Sequence, residues 1–198
     1  MSLAKIKPFR DYSEHDVVNL FSLDTATGDM GLLVKIKGDG WKNNDNHGIA
    51  WNEFEIKNVY SPRWEVKSKV TVTTSGDRAF GMTLYKVLEE NQFGYPLRYD
   101  PVRLQEAQAV VSGQAVPILR KGTVLYNFGT VTGVGAVNPG PGSGLIPSTT
   151  VNGGLAVVHG LNQTLSGGSV VRITNLVGEC LGKKDADGYA LINLDFYK

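Results

Sequence analysis

The sequence predicts an all-β protein, and three observations carry that prediction. Short apolar runs recur along the 198 residues, separated by Gly, Asn, Asp or Pro, a spacing that favours a sandwich or barrel over alternating βαβ units. Two segments alternate between a mainly apolar and a more polar face, as half-buried strands do. Fifty consecutive residues, Gly122 to Val171, contain no Asp, Glu, Lys or Arg, although the other 148 carry all 39 such charges. Average composition would place about a dozen there. No run in the stretch approaches the ~20 apolar residues that a membrane-spanning helix needs. It reads instead as uncharged β-structure packed against another protein, where an unpaired charge is costly to desolvate. The alternative is a Gly-rich β-region that is merely neutral.

Taken in order, the chain opens with Met1 to Arg10, a short basic arm with no apolar core of a signal sequence, which predicts synthesis in a cytosol. Ser13-Glu14-His15-Asp16 resembles a helix cap, but β-branched Val17-Val18 oppose a helix, so the local structure stays open. A strand is predicted at Leu32 to Lys37, then an Asn-rich loop from Gly38 to Gly48 and a strand at Phe54 to Val59. Between Trp64 and Thr74, Trp64, Val66, Val70 and Val72 face one way while Glu65, Lys67, Lys69, Thr71 and Thr73 face the other. A strand follows at Phe80 to Val87. Asp100 as cap and Pro101 at the first position predict one short helix, with Leu104, Ala107, Gln108 and Val111 on a face packed against the sheet. Strands are then predicted at Ala115 to Arg120, Thr123 to Phe128, Leu155 to Val158 and Val170 to Thr174, with a Pro/Gly loop from Asn138 to Pro147. Last, Ala190, Ile192, Leu194 and Phe196 alternate with Leu191, Asn193, Asp195 and Tyr197. They follow Asp187-Gly188, the pair that closes type I′ hairpins, and predict pairing with Val177 to Leu181.

The totals exclude several function classes. Twenty basic residues balance nineteen acidic ones, which supplies no electrostatic footprint for nucleic acid. Cys180 stands alone, so no intrachain disulfide forms and the fold holds by packing. His15, His47, His159 and Cys180 are scattered without the short spacings of a metal site. Asp185-Ala186-Asp187-Gly188 imitates half a calcium loop, but Lys183 and Leu194 occupy ligand positions. Gly178 to Lys184 has the wrong spacing for a phosphate loop. Cys180 with His159 as base lacks an activating environment, and adjacent Glu89-Glu90 on a strand point to opposite faces. No catalytic residue, metal or cofactor is predicted. Trp41, Trp51 and Trp64 suit a sugar-stacking platform, or equally the core and rim of a sheet.

Four blocks carry a resemblance: Lys7-Pro8-Phe9-Arg10-Asp11-Tyr12-Ser13-Glu14-His15-Asp16-Val17-Val18-Asn19-Leu20-Phe21, Gly81-Met82-Thr83-Leu84-Tyr85-Lys86-Val87, Val111-Ser112-Gly113-Gln114-Ala115-Val116-Pro117-Ile118 and Asp185-Ala186-Asp187-Gly188-Tyr189-Ala190-Leu191. They resemble segments of the decoration, or cement, proteins on the heads of tailed bacteriophages. The Asn138 to Pro147 insertion departs from that pattern. The resemblance implies a β-barrel or β-tulip-like body from residue 22 to 198 and a homotrimer bound outside the shell of the major capsid protein. Localisation would be the capsid exterior after synthesis in the host bacterial cytoplasm, with no nucleic-acid or membrane partner. On that reading residues 1–21 form a capsid-contacting arm through Lys5, Lys7, Phe9, Arg10, Tyr12 and Phe21, ordering along an existing strand edge. Val124, Leu125, Tyr126 and Phe128 then anchor the oligomer interface. The alternatives are a virion-surface module binding glycan or receptor through Trp41 to Trp64, and a tail or baseplate component of similar fold.

Overall fold

A computed structural model describes residues 5–38, 40–41, 66, 68–74, 76–129, 138–148, 151–158, 162–164, 170–172 and 175–197, without the side chains of 8–11, 162–164 and 170–172. Among the described residues the fold is all-β with one short helix. Its strands are β1 (Ile6–Asp11), β2 (Val17–Val18), β3 (Ser22–Leu23), β4 (Leu33–Ile36), β5 (Lys69–Val72), β6 (Gly81–Thr83), β7 (Lys86–Leu88) and β8 (Ala109–Val111). They continue with β9 (Ile118–Leu119), β10 (Lys121–Asn127), β11 (Gly144–Pro147), β12 (Leu155–Val158), β13 (Asn162–Thr164), β14 (Val170–Arg172), β15 (Gly178–Cys180) and β16 (Tyr189–Asp195). Helix α1 is Pro101–Glu106.

Two six-stranded sheets organise the chain. The first runs β1-β10-β16-β15-β11-β12 and the second β2-β9-β6-β4-β5-β3. Two-stranded ribbons, β7-β8 and β13-β14, complete the pairing among the described residues. Neither six-stranded sheet closes on itself within those residues. One apolar cluster draws on both sheets: Ile6, Val124, Tyr126, Leu145, Leu155, Cys180, Ile192 and Leu194 from the first, Leu33, Met82 and Leu119 from the second. A second cluster gathers Phe21, Leu23, Val34, Val70, Ile118 and, from the β7-β8 ribbon, Val87. Neighbours on a strand point to opposite faces. Leu33 and Val34 therefore feed different cores, as do Leu119 and Ile118, and the second sheet is the middle layer. A sheet covered on both sides reads as apolar runs rather than alternation, which is why Leu32-Leu33-Val34 and Val116 to Leu119 show no period.

The predicted C-terminal hairpin is present, with Gly178 opposite Leu194, Glu179 opposite Asn193 and Cys180 opposite Ile192. Gly178 is required there because a Cβ would run into the backbone carbonyl of Asn193. Its turn corrects the expected type I′. That turn needs positive φ at both central residues, whereas among described non-glycine residues only Gln108 has it. Asp185 to Gly188 form a four-residue turn closed by Gly188 N–H donating to Asp185 O at 3.1 Å, with Gly188 at φ +93°. The Asp185 carboxylate accepts from Asp187 N–H at 3.0 Å and Tyr189 N–H at 2.7 Å.

Other expectations need adjustment. The strand predicted at Phe80 to Val87 breaks after Thr83, because β6 stays in the second sheet and β7 leaves to pair with β8 in parallel. Helix α1 has its predicted cap, Asp100 Oδ1 accepting from Arg103 N–H at 3.1 Å. It ends at Glu106 and buries no residue, so it presents no packed face. Gln108 at φ +48° turns the chain, and Val111 lies on β8 instead. Glu14 to Asp16 make a 3-10 turn capped by Ser13 Oγ, followed at once by β2. The predicted strands at Leu32 to Lys37, Thr123 to Phe128 and Leu155 to Val158 are found within a few residues of those bounds. The strand at Phe54 to Val59, Trp51, Trp64, His47, His159 and most of the Gly38 to Gly48 loop lie outside the described residues.

Candidate functional site

The N-terminal segment is not a separate arm. β1 is the outer strand of the first sheet, pairing with β10 through Ile6 opposite Tyr126 and Lys7 opposite Leu125, with an irregularity before Asp11 opposite Thr123. Ile6 is buried in the main core. The expected boundary at residue 21 has no counterpart, since β2 belongs to the second sheet and Phe21, at 4% exposure, packs edge-on to Phe80 at 5.3 Å inside the second core. A ring so buried offers nothing to a capsid. Tyr12 is half-buried against the main core, and the side chains of Phe9 and Arg10 are outside the described set.

The four anchors expected in the uncharged stretch divide by alternation. Val124 and Tyr126 point inward and are buried, which corrects their assignment to an oligomer interface: they hold this chain's own fold. The Tyr126 hydroxyl accepts from Leu155 N–H at 3.2 Å, joining β10 to β12. Leu125 points outward and stays half-exposed, while Phe128 leans on the core, edge-on to Tyr126 at 5.0 Å. Part of the missing charge is thereby explained by burial within the chain, since Val124, Tyr126, Leu145 and Leu155 all belong to the main cluster.

What the fold brings together is a row across the outward face of the first sheet. Lys7 on β1 lies opposite Leu125 on β10, and Leu125 opposite Leu191 on β16. Leu181, just past β15, donates its N–H to Leu191 O at 2.9 Å and is 44% exposed. Lys7 Nζ sits 4.0 Å from the Tyr189 ring centroid and 4.0 Å from Asp187 Oδ2, which orients the cation at the end of the leucine row. Three leucines and one lysine, brought together by strand pairing, form an apolar strip with a charged end. Leu181 and Leu191 were missed in the sequence because they lie outside the uncharged stretch and meet Leu125 only through strand pairing.

A cleft of about 500 Å³ opens beside this row, lined by Lys5, Tyr126, Phe128, Val151, Lys184 and Asp187 among others. Burial lowers the Lys5 pKa, while the charge of Asp29 opposes that shift. Lys184 Nζ donates to Gly129 O at 3.2 Å. Cys180 faces the core, and burial pushes its thiol up to about 11, so it is a packing group and not a thiolate nucleophile at neutral pH. Among the described residues no three His, Cys, Asp or Glu are gathered as a metal would need. Of the tryptophans considered for sugar stacking, Trp41 is exposed. No family model, curated protein or solved structure matches the chain.

Proposed function

We propose that the protein is a structural component of a tailed-bacteriophage head that binds the outside of the major capsid protein shell and cements it. The observation that carries this reading is the Lys7–Leu125–Leu191–Leu181 row, an outward apolar strip across the first sheet, in a chain whose sequence blocks resemble decoration proteins. Such a row suits a broad, static contact. A protein touching two or three shell subunits adds binding free energy that must be lost before they separate, and several modest contacts act together through effective concentration. The barrel-like or tulip-like body, the trimer and the virion location implied by the resemblance belong to the same proposal. Lys7 supplies a rim charge for orientation; phosphate or catalytic chemistry plays no part in it.

Removing Met1 to Tyr12 is a poor test, because it takes β1 and buried Ile6 with it. A surface substitution is cleaner. Leu125→Glu places a charge on the outward face without touching the inward core. Purified protein should pellet saturably with expanded shells of the encoding phage, and Leu125→Glu should pellet at least about tenfold less with an unchanged melting temperature. Equal pelleting of the two proteins, or none by the unaltered one, would remove the row from the account.

A further inference from the structure

Among the described residues the most exposed large apolar side chains lie outside the first sheet. Phe93, Tyr95, Tyr99 and Val102 are 69%, 66%, 67% and 64% exposed within ten residues of chain. Scattered exposed apolar residues need no explanation, but a group does. The segment carrying Phe93 is also tightly fixed. Asn91 Oδ1 accepts from Phe93 N–H at 2.8 Å and Tyr95 N–H at 3.0 Å. Asn91 N–H donates to Tyr95 O at 2.9 Å, Gly94 N–H to Asn91 O at 3.0 Å and Leu97 N–H to Glu89 O at 3.0 Å. Glu90 bridges Pro96 at the base. The backbone is thus locked while the rings stand in water, a knob that loses little conformational entropy on docking. Residues 89–96 carry Glu89 and Glu90 and no basic residue.

The cleft described above is the matching socket. Its apolar wall is Phe128 and the exposed Val151, and its cations are Lys5 and Lys184. Among the described residues the Lys5 ammonium has no ion pair; Asp29 acts on it only through its charge. Asp187, the acid of the lining, is already paired with Lys7. A volume near 500 Å³ falls in the range of sites that enclose a compact ligand group. Knob and socket sit on different parts of the fold: the knob adjoins the β7-β8 ribbon and α1, outside the second sheet, and the socket lies at the end of the first sheet.

We propose that the cleft of one copy of this chain receives Phe93 of a second copy, with Glu90 facing Lys5 and Lys184. Because knob and socket are different surfaces, the contact closes either as a reciprocal two-fold pair or, head-to-tail, as a ring when the rotation allows. It supplies a geometry for the oligomer invoked above, yet it needs no shell, so its failure would leave shell binding through the leucine row standing.

The test is the solution mass of the full chain by sedimentation equilibrium, from about 1 to about 100 µM, where modest interfaces dissociate. The unaltered protein should associate into a closed oligomer. Phe93→Ala, Glu90→Lys and Lys184→Glu should each weaken association about tenfold or more, and Glu90→Lys combined with Lys184→Glu should recover most of the loss. Melting temperatures close to the unaltered protein's identify folded variants, and Val151→Asp gives a second socket variant should Lys184→Glu fail that check. A monomer throughout, an unchanged mass for Phe93→Ala, or a double reversal as dissociated as the single ones would overturn the proposal.

Discussion

The two six-stranded sheets bury their strands under different rules. In the first sheet the central strands alternate: Val124, Tyr126, Ile192 and Leu194 enter the core while Leu125 and Leu191 stay at the surface, although Tyr189 and Ala190 at the start of β16 are both buried. In the second, adjacent residues are both buried, Leu33 beside Val34 and Ile118 beside Leu119. The covered sheet is committed to folding on both sides. Among the described residues the first sheet leaves the Leu125–Leu191 row open to another molecule, whereas the apolar side chain the second sheet leaves exposed is Ile36 at the end of β4.

The comparison breaks most readily on its core. Ile118→Ala and Leu119→Ala should each cost about 2–5 kcal/mol in urea unfolding, the usual range for emptying a fully buried site. In the first sheet Ile192→Ala should fall in that range, whereas outward Leu191→Ala should cost less than about 1 kcal/mol. An Ile118→Ala as mild as Leu191→Ala would mean that the second sheet is not covered on both faces. Next in size, Gly178→Ala should destabilise by about 1–3 kcal/mol, because a methyl group meets the Asn193 carbonyl and not a yielding side chain. Tyr126→Phe should cost about 1–3 kcal/mol by leaving the buried Leu155 N–H unpaired, with faster amide exchange at Leu155 as its local signature.

Surface charge gives a smaller effect beside β4 of the second sheet. Lys35 Nζ, 2.8 Å away, and the Thr74 N–H and hydroxyl hold the Asp77 carboxylate at about 2, below its ordinary 3.8. A depressed pKa means stability that is present above the unfolded value and lost on protonation. It should therefore decline as pH falls from 3.8 towards about 2, and Asp77→Asn should flatten that part of the acid profile. The change is modest because both partners are accessible to water and salt. Smallest of all, Cys180 should resist thiol reagents at neutral pH in the native protein and react at once in denaturant, as expected of a buried thiol.

Legibility follows the same division. The hairpin of β15 and β16 and the Asp100 cap were readable because their signals are local: alternation, a turn cluster, and a cap followed by proline. The type I′ turn was misassigned because Asp187-Gly188 also fits the end of a longer turn, which the Asp185 carboxylate stabilises by accepting two backbone N–H groups. β1 read as an arm because Pro8 and an irregular register blur its pattern, and its partner β10 is distant in sequence. The helix face was overextended, since a 3.6-residue spacing carried the reading past Glu106 into β8. At the candidate site, Lys7 was read as a capsid contact and Leu125 as an oligomer anchor, and strand pairing sets the two side by side; Val124 and Tyr126 were not separable from Leu125 by composition. An uncharged run records desolvation without saying which molecule does the covering. Pairing geometry is what separates inward from outward positions.

Hydroxyl-radical footprinting of the full chain, free and bound to shells, tests the central claim most directly. Side-chain oxidation at Leu125, Leu181 and Leu191 should fall on binding, while Val124 and Ile192, already covered by the fold, should stay equally protected in both states. Bound protein with undiminished oxidation along that row would contradict the assignment of the first sheet's outward face as the contact.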